Sequence, residues 1–439
     1  MFGWFVPANN ETVTNAQLCL PVDHGPVHAH WAHLDHRQKT VAVILLATGR
    51  KHPRPIYCYY FDKTGRLLEE PLVTTNTLNY VVSCGQPTKL ADAEFVAVTQ
   101  RNVSLFSANG FFSRSVRITR SAGPPTKGSL VICVAPIWGH ETNWLTFLQF
   151  IEFYRIVGAN RFFVYPYNVG DPMTADLIKY YRHNLRIMEV MPIPKGSKCA
   201  RSKMCRQFFQ LHDCIYRALN RFDYALPVDL DENVMPLQHN TIQEMLSHLE
   251  RPNSNNTIEM ITNWASLMIR QRYIRRTRLD PDSRFLSTVA QNGLRSYLHA
   301  ALPAFRFTDA AHFAPIGYTA KVLARPNALR SIRLHSAGEL AEGNWQNYAI
   351  APSICLIQHF RRFNDWKPTT LKEILNFGNI TKFVMPERFA TKLLNATTET
   401  IANVRSARLI ADDDDKGTLA GHGHPDGSEI RPLLVPPPC

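Results

Sequence analysis

Three carboxylates at the end of an apolar run are the residues of this chain best suited to chemistry. Tyr224 to Val228 has the composition of a buried strand, and Asp229, Asp231 and Glu232 follow it directly. In an extended segment Asp229 and Asp231 point to the same side, because successive side chains alternate. Unpaired buried anions are strongly disfavoured, so these groups should meet solvent, a basic partner or a metal. Two hard oxygen ligands on one side suit a divalent cation that also holds a diphosphate.

A solvated acidic turn would explain the same three residues, so the interpretation depends on the rest of the chain. Two other carboxylate sites are disfavoured. An aspartyl phosphatase places its D-x-D early in the chain and usually follows it with Thr or Val, whereas Asp231 lies mid-chain and precedes Glu232. An EF-hand loop needs a central glycine, which the following Val234-Met-Pro236 does not supply.

Apolar strands alternate with helix-length segments around this cluster, which predicts a parallel sheet flanked by helices. The predicted strands are 130–135, 161–165, 186–191 and 224–228, and the predicted helices are 141–157, 174–182 and 206–219. Ligands of such sheets bind beyond the carboxyl ends of the strands. Asp229 and Asp231 lie at one such end and the segment 136–141 lies at another, so we expect one cleft to collect both.

Residues 1–125 are predicted to form a smaller β-rich domain before this region. Short apolar or aromatic runs at 41–47, 56–61 and 79–82 are separated by turn residues. Cys58 and Cys84 are a candidate disulfide that would staple this domain. Five histidines match no metal-ligand spacing, which favours surface positions for His24, His28, His30, His33 and His36.

A Pro/Gly-rich linker at 121–128 separates this domain from the next. The predicted catalytic domain therefore covers residues 126–408. From residue 409 the chain becomes polar and then rich in proline and glycine, which predicts a disordered tail over 409–439.

The composition is that of a globular chain with a basic balance. Its 439 residues include 49 Lys and Arg against 36 Asp and Glu, for a net charge of +13. No recognisable nucleic-acid module accompanies that charge, so we expect no nucleic-acid partner. No apolar run approaches the ~20 residues of a membrane span, and the N-terminus lacks a signal-peptide pattern. We therefore expect either a cytosolic protein or a chain without an anchor that a longer product would carry.

Cysteines and glycosylation sequons help to choose between those two locations. The nine cysteines include no C-x-x-C pair and no Cys/His cluster of zinc-ligand spacing. Five N-x-[ST] sequons occur, at Asn10, Asn102, Asn255, Asn379 and Asn395. Sequons and dispersed cysteines together favour a secretory compartment, where disulfides persist.

Residues 131 to 362 resemble glycosyltransferase family 92, a group first described as domain of unknown function 23. The resemblance rests on stretches in the right order, among them Cys133-Val-Ala-Pro136 with Glu141, Asp213-Cys214 before Asp229-Leu-Asp-Glu232, Lys321-Val-Leu-Ala-Arg-Pro326 and His359-Phe-Arg361. Cys58, Phe61, Asp62, Gly65 and Cys84 are similar to the family's upstream domain. Two departures are His140, where the family usually has Asn, and Ala265-Ser-Leu-Met268, where it tends to have glycine.

The resemblance implies a GT-A type α/β fold, with a mostly parallel sheet flanked by helices and a smaller β-rich domain before it. Nematode-type β-galactosyltransferases acting on glycans are the similar enzymes. They imply an inverting transfer of galactose from UDP-galactose, with Mn²⁺, onto a glycan hydroxyl of a glycoprotein or glycolipid. They also imply the Golgi lumen or secretory pathway, with membrane attachment as a type II protein only through an anchor absent from this chain.

Carried onto this chain, the resemblance assigns donor binding to Ala135, Pro136, Glu141, Asp229 and Asp231. The two aspartates also become metal ligands, with His359 as the third ligand and His335 as the competing choice. A cation held there would neutralise the diphosphate and stabilise the leaving group. Alternatively, Glu141 only complements a helix dipole.

Inversion also needs a general base that takes a proton from the acceptor hydroxyl. Glu232 is the candidate nearest to the D-x-D pair, and its alternative role is to orient the loop. An acceptor-side base is expected in the later half, where the sequence does not choose among Asp280, Asp282, Asp309 and Glu339; Asp309 is retained beside Glu232 as a catalytic prediction. A non-catalytic glycan- or nucleotide-sugar-binding protein with the same fold remains the alternative function.

Overall fold

The computed structural model describes most of the chain between residues 29 and 419. The described ranges are 29–45, 55–78, 80–100, 115–121, 123–137, 144–193, 202–250, 263–277, 293–361 and 374–419, with residues 102, 281, 286, 289–290 and 372. Of the predicted site residues, Glu141, Asp280 and Asp282 lie outside these ranges.

The N-terminal region is a single eight-stranded sheet. Its strands are β1 (Ala29–Asp35), β2 (Thr40–Leu45), β3 (Ile56–Phe61), β4 (Leu72–Thr74), β5 (Thr77–Leu78), β6 (Val81–Gly85), β7 (Phe95–Thr99) and β8 (Val116–Thr119), in the order β4-β3-β7-β8-β1-β2-β6-β5. Cys58 of β3 and Cys84 of β6 form a disulfide with Cα atoms 6.0 Å apart. Four strands lie between β3 and β6 in the sheet order, so the sheet curls round a shared apolar core. The β-rich prediction and the predicted Cys58–Cys84 pair are both confirmed.

The next region alternates strands and helices, as the sequence predicts. It contains β9 (Thr126–Val134), α1 (Trp144–Ile156), β10 (Arg161–Val164), α2 (Pro172–Lys179), a π turn (Tyr180–Asn184), β11 (Met188–Val190), α3 (Lys203–Ala218) and β12 (Phe222–Val228). The strand predicted at 186–191 is only three residues long, because the π turn continues α2 to residue 184. The predicted domain start at 126 coincides with the first residue of β9.

The remaining elements complete two further sheets. They are β13 (Glu232–Pro236), α4 (Ile242–Leu249), β14 (Trp264–Ile269), β15 (Gln271–Arg275), α5 (Leu294–Ala301), α6 (Pro303–Arg306), β16 (Asp309–Phe313), β17 (Lys321–Ala324), β18 (Gln346–Ala349), β19 (Cys355–Arg361), β20 (Thr381–Lys382) and α7 (Glu387–Leu419). The helix α7 runs past residue 409, where the tail is predicted to begin. No helix in the described ranges combines the length and apolar character needed to cross a membrane.

The central sheet has seven strands in the order β11-β10-β9-β12-β17-β14-β18. Only β17 runs against the others, since it pairs antiparallel with both β12 and β14. Alternate residues of β9 enter two different cores: Leu130 packs with α1 on one face, and Val131 packs with α3 on the other. A mostly parallel sheet covered by helices on both faces, after a β-rich region, confirms the predicted GT-A type α/β fold.

A five-stranded sheet, ordered β13-β19-β15-β16-β20, lies beside the central one. The chain passes from β12 in the central sheet to β13 in this sheet through residues 229–231. Glu232 opens β13 directly opposite His359 of β19, and Tyr273 of β15 is the partner of His359 on its other side. The acidic cluster is therefore the joint between two sheets.

The N-terminal sheet is fastened to α3 by buried polar and aromatic contacts. His33 Nε2 lies 2.8 Å from Asp213 Oδ1, and Arg217 Nε donates to Asp213 Oδ2 at 2.9 Å. Burial alone would raise the pKa of the Asp213 carboxyl, but Arg217 and His33 hold it well below its ordinary value. The indole of Trp31 stacks on Phe209 with ring centroids 4.5 Å apart. The two regions thus share polar and aromatic contacts, and Tyr80 also stacks on Phe208 of α3. The surface position expected for His33 is wrong, because its ring is buried against Asp213.

A second disulfide, Cys133–Cys214, ties β9 to α3 across 81 residues of sequence. Both cysteines belong to stretches that resemble the family, but the sequence did not predict that they pair. Since β9 ends and α3 begins at the edge of the sheet where Asp229 lies, this link holds the scaffold of the candidate site.

Candidate active site

The acidic turn at 229–231 is shaped by hydrogen bonds to its own neighbour. The Asp229 amide donates to Glu232 Oε2 at 2.9 Å, and the Glu232 amide donates to the Asp229 carbonyl at 3.1 Å. At the adjacent strand end, the Ala135 amide donates to the Val228 carbonyl at 2.9 Å. Ala135 and Pro136 therefore lie beside the turn, as the sequence predicts for one cleft at the strand ends.

Asp229 has a cationic partner at one oxygen and an amide at the other. Lys321 Nζ is 2.8 Å from Oδ2, and Gln207 Nε2 donates to Oδ1 at 3.3 Å. The Asp229 side chain is 26% exposed. Burial alone would raise the pKa of this carboxyl, but Lys321 holds it below its ordinary value. Asp229 is therefore ionised and reaches solvent at the cleft.

Asp231 lies among the side chains of β19. Its Oδ2 is 3.3 Å from His359 Nε2 and 3.8 Å from Arg361 Nη1. Burial alone would raise the pKa of Asp231, but His359 and Arg361 lower it well below its ordinary value. The Phe360 amide donates to the Asp231 carbonyl at 2.8 Å, which fixes the turn against β19.

Glu232 is fully buried and surrounded by donors. Besides the Asp229 amide, its carboxylate receives Lys321 Nζ at 3.1 Å, Gln271 Nε2 at 2.8 Å and faces His359 Nδ1 at 3.3 Å. Burial raises its pKa above the ordinary value. A carboxylate enclosed in this way is not placed to meet an acceptor hydroxyl, and the contacts favour the alternative role of orienting the loop.

Asp309 is separate from this cluster. It begins β16, which lies beyond β15 from His359, and its exposed carboxylate pairs with Lys382 of β20. Among the described residues, no hydrogen bond or ion pair joins Asp309 to the acidic turn. Glu339, another alternative for the base, lies 3.8 Å from Arg330. The catalytic base therefore remains a prediction.

The two histidine alternatives are placed differently. His359 contacts Asp231 and is nearly buried. His335 is half-buried, and its Nδ1 lies 3.1 Å from the Ala320 carbonyl. Of the two, His359 is the one with a carboxylate of the D-x-D pair within contact distance of its ring.

Chemistry of the donor atoms decides whether a divalent cation fits here. Carboxylate oxygens suit Mg²⁺ and Mn²⁺, and an imidazole nitrogen is a common ligand of first-row transition ions. Asp229, Asp231 and His359 supply both types at one place. Within the described ranges, no group of three or more His, Cys, Asp and Glu side chains is already gathered at metal-ligand spacing; Lys321 and Arg361 lie against the two aspartates instead. The donor set fits by type, and Asp231 and His359 lie within 3.3 Å of each other.

Four further residues complete the cluster and were not assigned from sequence: Gln207, Gln271, Lys321 and Arg361. Lys321 and Arg361 lie in stretches that resemble the family. Because buried carboxylates need a basic partner, the sequence predicted that such residues exist but not which ones they are. The two glutamines gave no signal in the sequence, because nothing local distinguishes them.

A cleft of about 340 Å³ lies elsewhere, between α1, the π turn and α7. The buried Glu152 carboxylate in its wall is already satisfied by Arg155, Tyr181 and Thr400. None of the lining residues belongs to the acidic cluster, and the acidic turn, where charged groups converge, is the candidate site.

Comparison with protein families gives one match. The model of glycosyltransferase family 92 matches residues 128–401, which is more than half of the chain and includes the acidic turn with both sheets that it joins. No curated protein matches the chain.

Several solved structures resemble the chain only distantly. Residues 1–349 of Staphylococcus aureus TarS show 11% identity and a TM-score of 0.23, over 39% of this chain and 50% of that one. The galactosyltransferase LgtC, in complex with donor and acceptor sugar analogues, shows 8% identity and a TM-score of 0.26, over 60% of this chain and 100% of that one. Glucosyl-3-phosphoglycerate synthase from Mycobacterium tuberculosis, with Mg²⁺ and UDP, shows 12% identity and a TM-score of 0.23, over 59% of this chain and 87% of that one. The chain spans half of the first of these, and likenesses at this level carry no argument about its activity.

Proposed function

Because the chain belongs to glycosyltransferase family 92, we propose that it transfers a sugar, galactose from UDP-galactose, onto a glycan hydroxyl at the acidic turn. The observation that carries the proposal is the convergence of Asp229, Asp231, His359, Lys321 and Arg361 at the joint between the two sheets. A D-x-D pair beside cationic side chains has the charges needed to bind an ion and a diphosphate together.

Each side chain has a part in this proposal. Asp231 and His359 would hold Mn²⁺, with Asp229 as the third ligand. When bound, the ion supplies positive charge that stabilises the leaving diphosphate. Arg361, with 37% of its side chain exposed, would donate to phosphate oxygens. Lys321 keeps Asp229 ionised and oriented from the buried side.

The carboxyl-end edge of the central sheet supports the same proposal. Ala135 and Pro136 continue β9 next to the turn, where the ligands of a parallel α/β sheet bind. We propose that they line the nucleotide site, together with Glu141. The acceptor is proposed to be a glycan of a glycoprotein or glycolipid, and an inverting transfer would require a base outside the buried Glu232.

A secretory location, in the Golgi, is proposed as well. It is supported by the two disulfides Cys58–Cys84 and Cys133–Cys214, since such bonds persist in oxidising compartments. The sequons are consistent with the same compartment.

A hydrolysis screen of UDP-sugars with Mn²⁺ tests the function. We expect release of UDP from UDP-galactose, and loss of that release in Asp231→Asn. Asp176→Asn is the matched control, because Asp176 is an aspartate in an exposed ion pair with Lys179 on α2. Mn²⁺-dependent UDP binding without any sugar release or transfer would instead support the alternative, a nucleotide-sugar-binding protein. Neither binding nor release would refute both.

A further inference from the structure

The two ring nitrogens of His359 have different surroundings. Nδ1 lies 2.8 Å from Gln271 Oε1 and 3.3 Å from Glu232 Oε1. Nε2 faces the cleft side of the cluster, 3.3 Å from Asp231 Oδ2 and 3.3 Å from Arg361 Nη1. Both neighbours of Nδ1 are oxygens, whereas Nε2 faces one acceptor and one donor.

Glu232 determines which way the Gln271 amide points. Gln271 Nε2 donates to Glu232 Oε1 at 2.8 Å. Both oxygens of this carboxylate face donors: Oε2 receives the Asp229 amide and lies 3.1 Å from Lys321 Nζ, and Oε1 faces Gln271. The amide nitrogen of Gln271 must therefore face Glu232, which turns Oε1 towards His359. An amide oxygen cannot donate, so the hydrogen of this bond belongs to His359 Nδ1.

This arrangement decides the tautomer of the imidazole. With a hydrogen on Nδ1, the neutral ring carries its lone pair on Nε2, the nitrogen beside Asp231. The ring of Tyr273 packs against His359 at a centroid distance of 5.2 Å and limits its rotation. Histidines that ligate a metal commonly donate a hydrogen bond from the N–H of their second ring nitrogen to a neighbouring acceptor. This bond fixes the ring and raises the basicity of the ligating nitrogen.

We propose that Gln271 is a positioning residue, which holds His359 in the tautomer whose Nε2 can ligate a divalent cation together with Asp231. This inference rests on the proposed metal-dependent function and adds a residue that the sequence did not single out. A structural role alone would not require the amide to have this orientation, because any side chain of equal volume would fill the space between Glu232 and His359.

The substitution Gln271→Met tests the assignment, since methionine is unbranched and of similar length but lacks the amide. Without the 2.8 Å bond, each ring nitrogen of His359 would face a carboxylate oxygen at the same 3.3 Å. The preference for hydrogen on Nδ1 should then be reduced. Loss of such a neighbour typically costs about 10- to 100-fold in metal affinity.

Two measurements are needed on the full chain. The first is ¹⁵N NMR of histidine-labelled protein at about pH 8, where an ordinary imidazole is neutral, with the His359 signal assigned by its absence in His359→Asn. The second is titration with MnCl₂, followed by the EPR signal of free Mn²⁺. The matched control is Gln358→Met: Gln358 is 2% exposed, points to the opposite face of the same sheet, and its Oε1 has no hydrogen-bond partner among the described residues.

We expect mixed tautomers and at least a 10-fold weaker Mn²⁺ affinity in Gln271→Met, with both readouts unchanged in Gln358→Met. Retention of the Nδ1–H tautomer, or equal losses of affinity in the two variants, would overturn the assignment. If the parent bound no Mn²⁺ while the tautomer still changed, the metal-dependent function would fail and Gln271 would remain the residue that orients His359.

Discussion

Replacing Lys321 with methionine should destabilise the protein by leaving two carboxylates without their buried cation. Lys321 Nζ lies 2.8 Å from Asp229 and 3.1 Å from Glu232, with 6% of its side chain exposed. Burial alone would lower the pKa of this ammonium, but Asp229 and Glu232 raise it above its ordinary value, so it is charged at neutral pH. Methionine roughly keeps the volume of the side chain and removes the charge together with its hydrogen-bond donors.

The size of the effect follows from the burial of the partners. Removing one partner of a buried ion pair costs about 3–5 kcal/mol. Glu232 is fully buried, but Asp229 is 26% exposed and is partly solvated after the change. We therefore expect about 3 kcal/mol, at the lower end of that range.

Urea denaturation followed by circular dichroism, with disulfides intact, measures this difference. Lys382→Met is the matched control, because Lys382 and its partner Asp309 are 72% and 42% exposed, and such pairs contribute less than about 1 kcal/mol. If Lys321→Met were as stable as Lys382→Met, Lys321 would not be the cation that neutralises the cluster, and the charge balance derived for Asp229 and Glu232 would be wrong.

Three other predictions concern the scaffold, the pH dependence and the base. Removing the disulfide with Cys133→Ala and Cys214→Ala opens an 81-residue loop and should cost about 4 kcal/mol in urea denaturation; a change under 1 kcal/mol would contradict the pairing. Burial lowers the pKa of His212 to about 4, so its neutral form stabilises the fold above the unfolded pKa of 6.5 and this stability is lost as the pH falls towards 4. The parent should lose about 2 kcal/mol from this group between about pH 7 and pH 5, and a His212→Leu variant with the same pH dependence would exclude the histidine as its source. Asp309→Asn should leave sugar transfer within about twofold, because the exposed pair with Lys382 is remote from the turn; a loss of 100-fold or more would identify it as the base.

The position of the acidic turn was predictable because it depends on local patterns. An apolar strand followed by Asp229 and Asp231 places carboxylates at a strand end, whatever the rest of the chain does. The strand at 56–61 was likewise predicted with its observed bounds, since β-branched and aromatic residues lie between clear turn signals. Family-like stretches then supplied His359, which the structure places beside Asp231.

The partners of the turn were not predictable because they arrive from distant strands. Lys321 reaches Asp229 across 92 residues of sequence, on the one strand of the central sheet that runs against the others. Gln271 reaches His359 only because β15 and β19 pair in parallel with a particular register. Alternation and composition indicate that a strand exists, but they do not specify its neighbour or its register.

The contacts between the N-terminal sheet and α3 also set an order on folding during synthesis. The first sheet leaves the ribosome early, yet His33 must wait for Asp213, 180 residues later. Arg37 donates to the Leu329 carbonyl, 292 residues later. At about 5–20 residues per second, the second wait lasts roughly 15–60 s. During the shorter wait for α3, Trp31 presents an uncovered aromatic surface, because Phe209 of α3 is its stacking partner, and this makes the emerging chain a substrate for folding assistants.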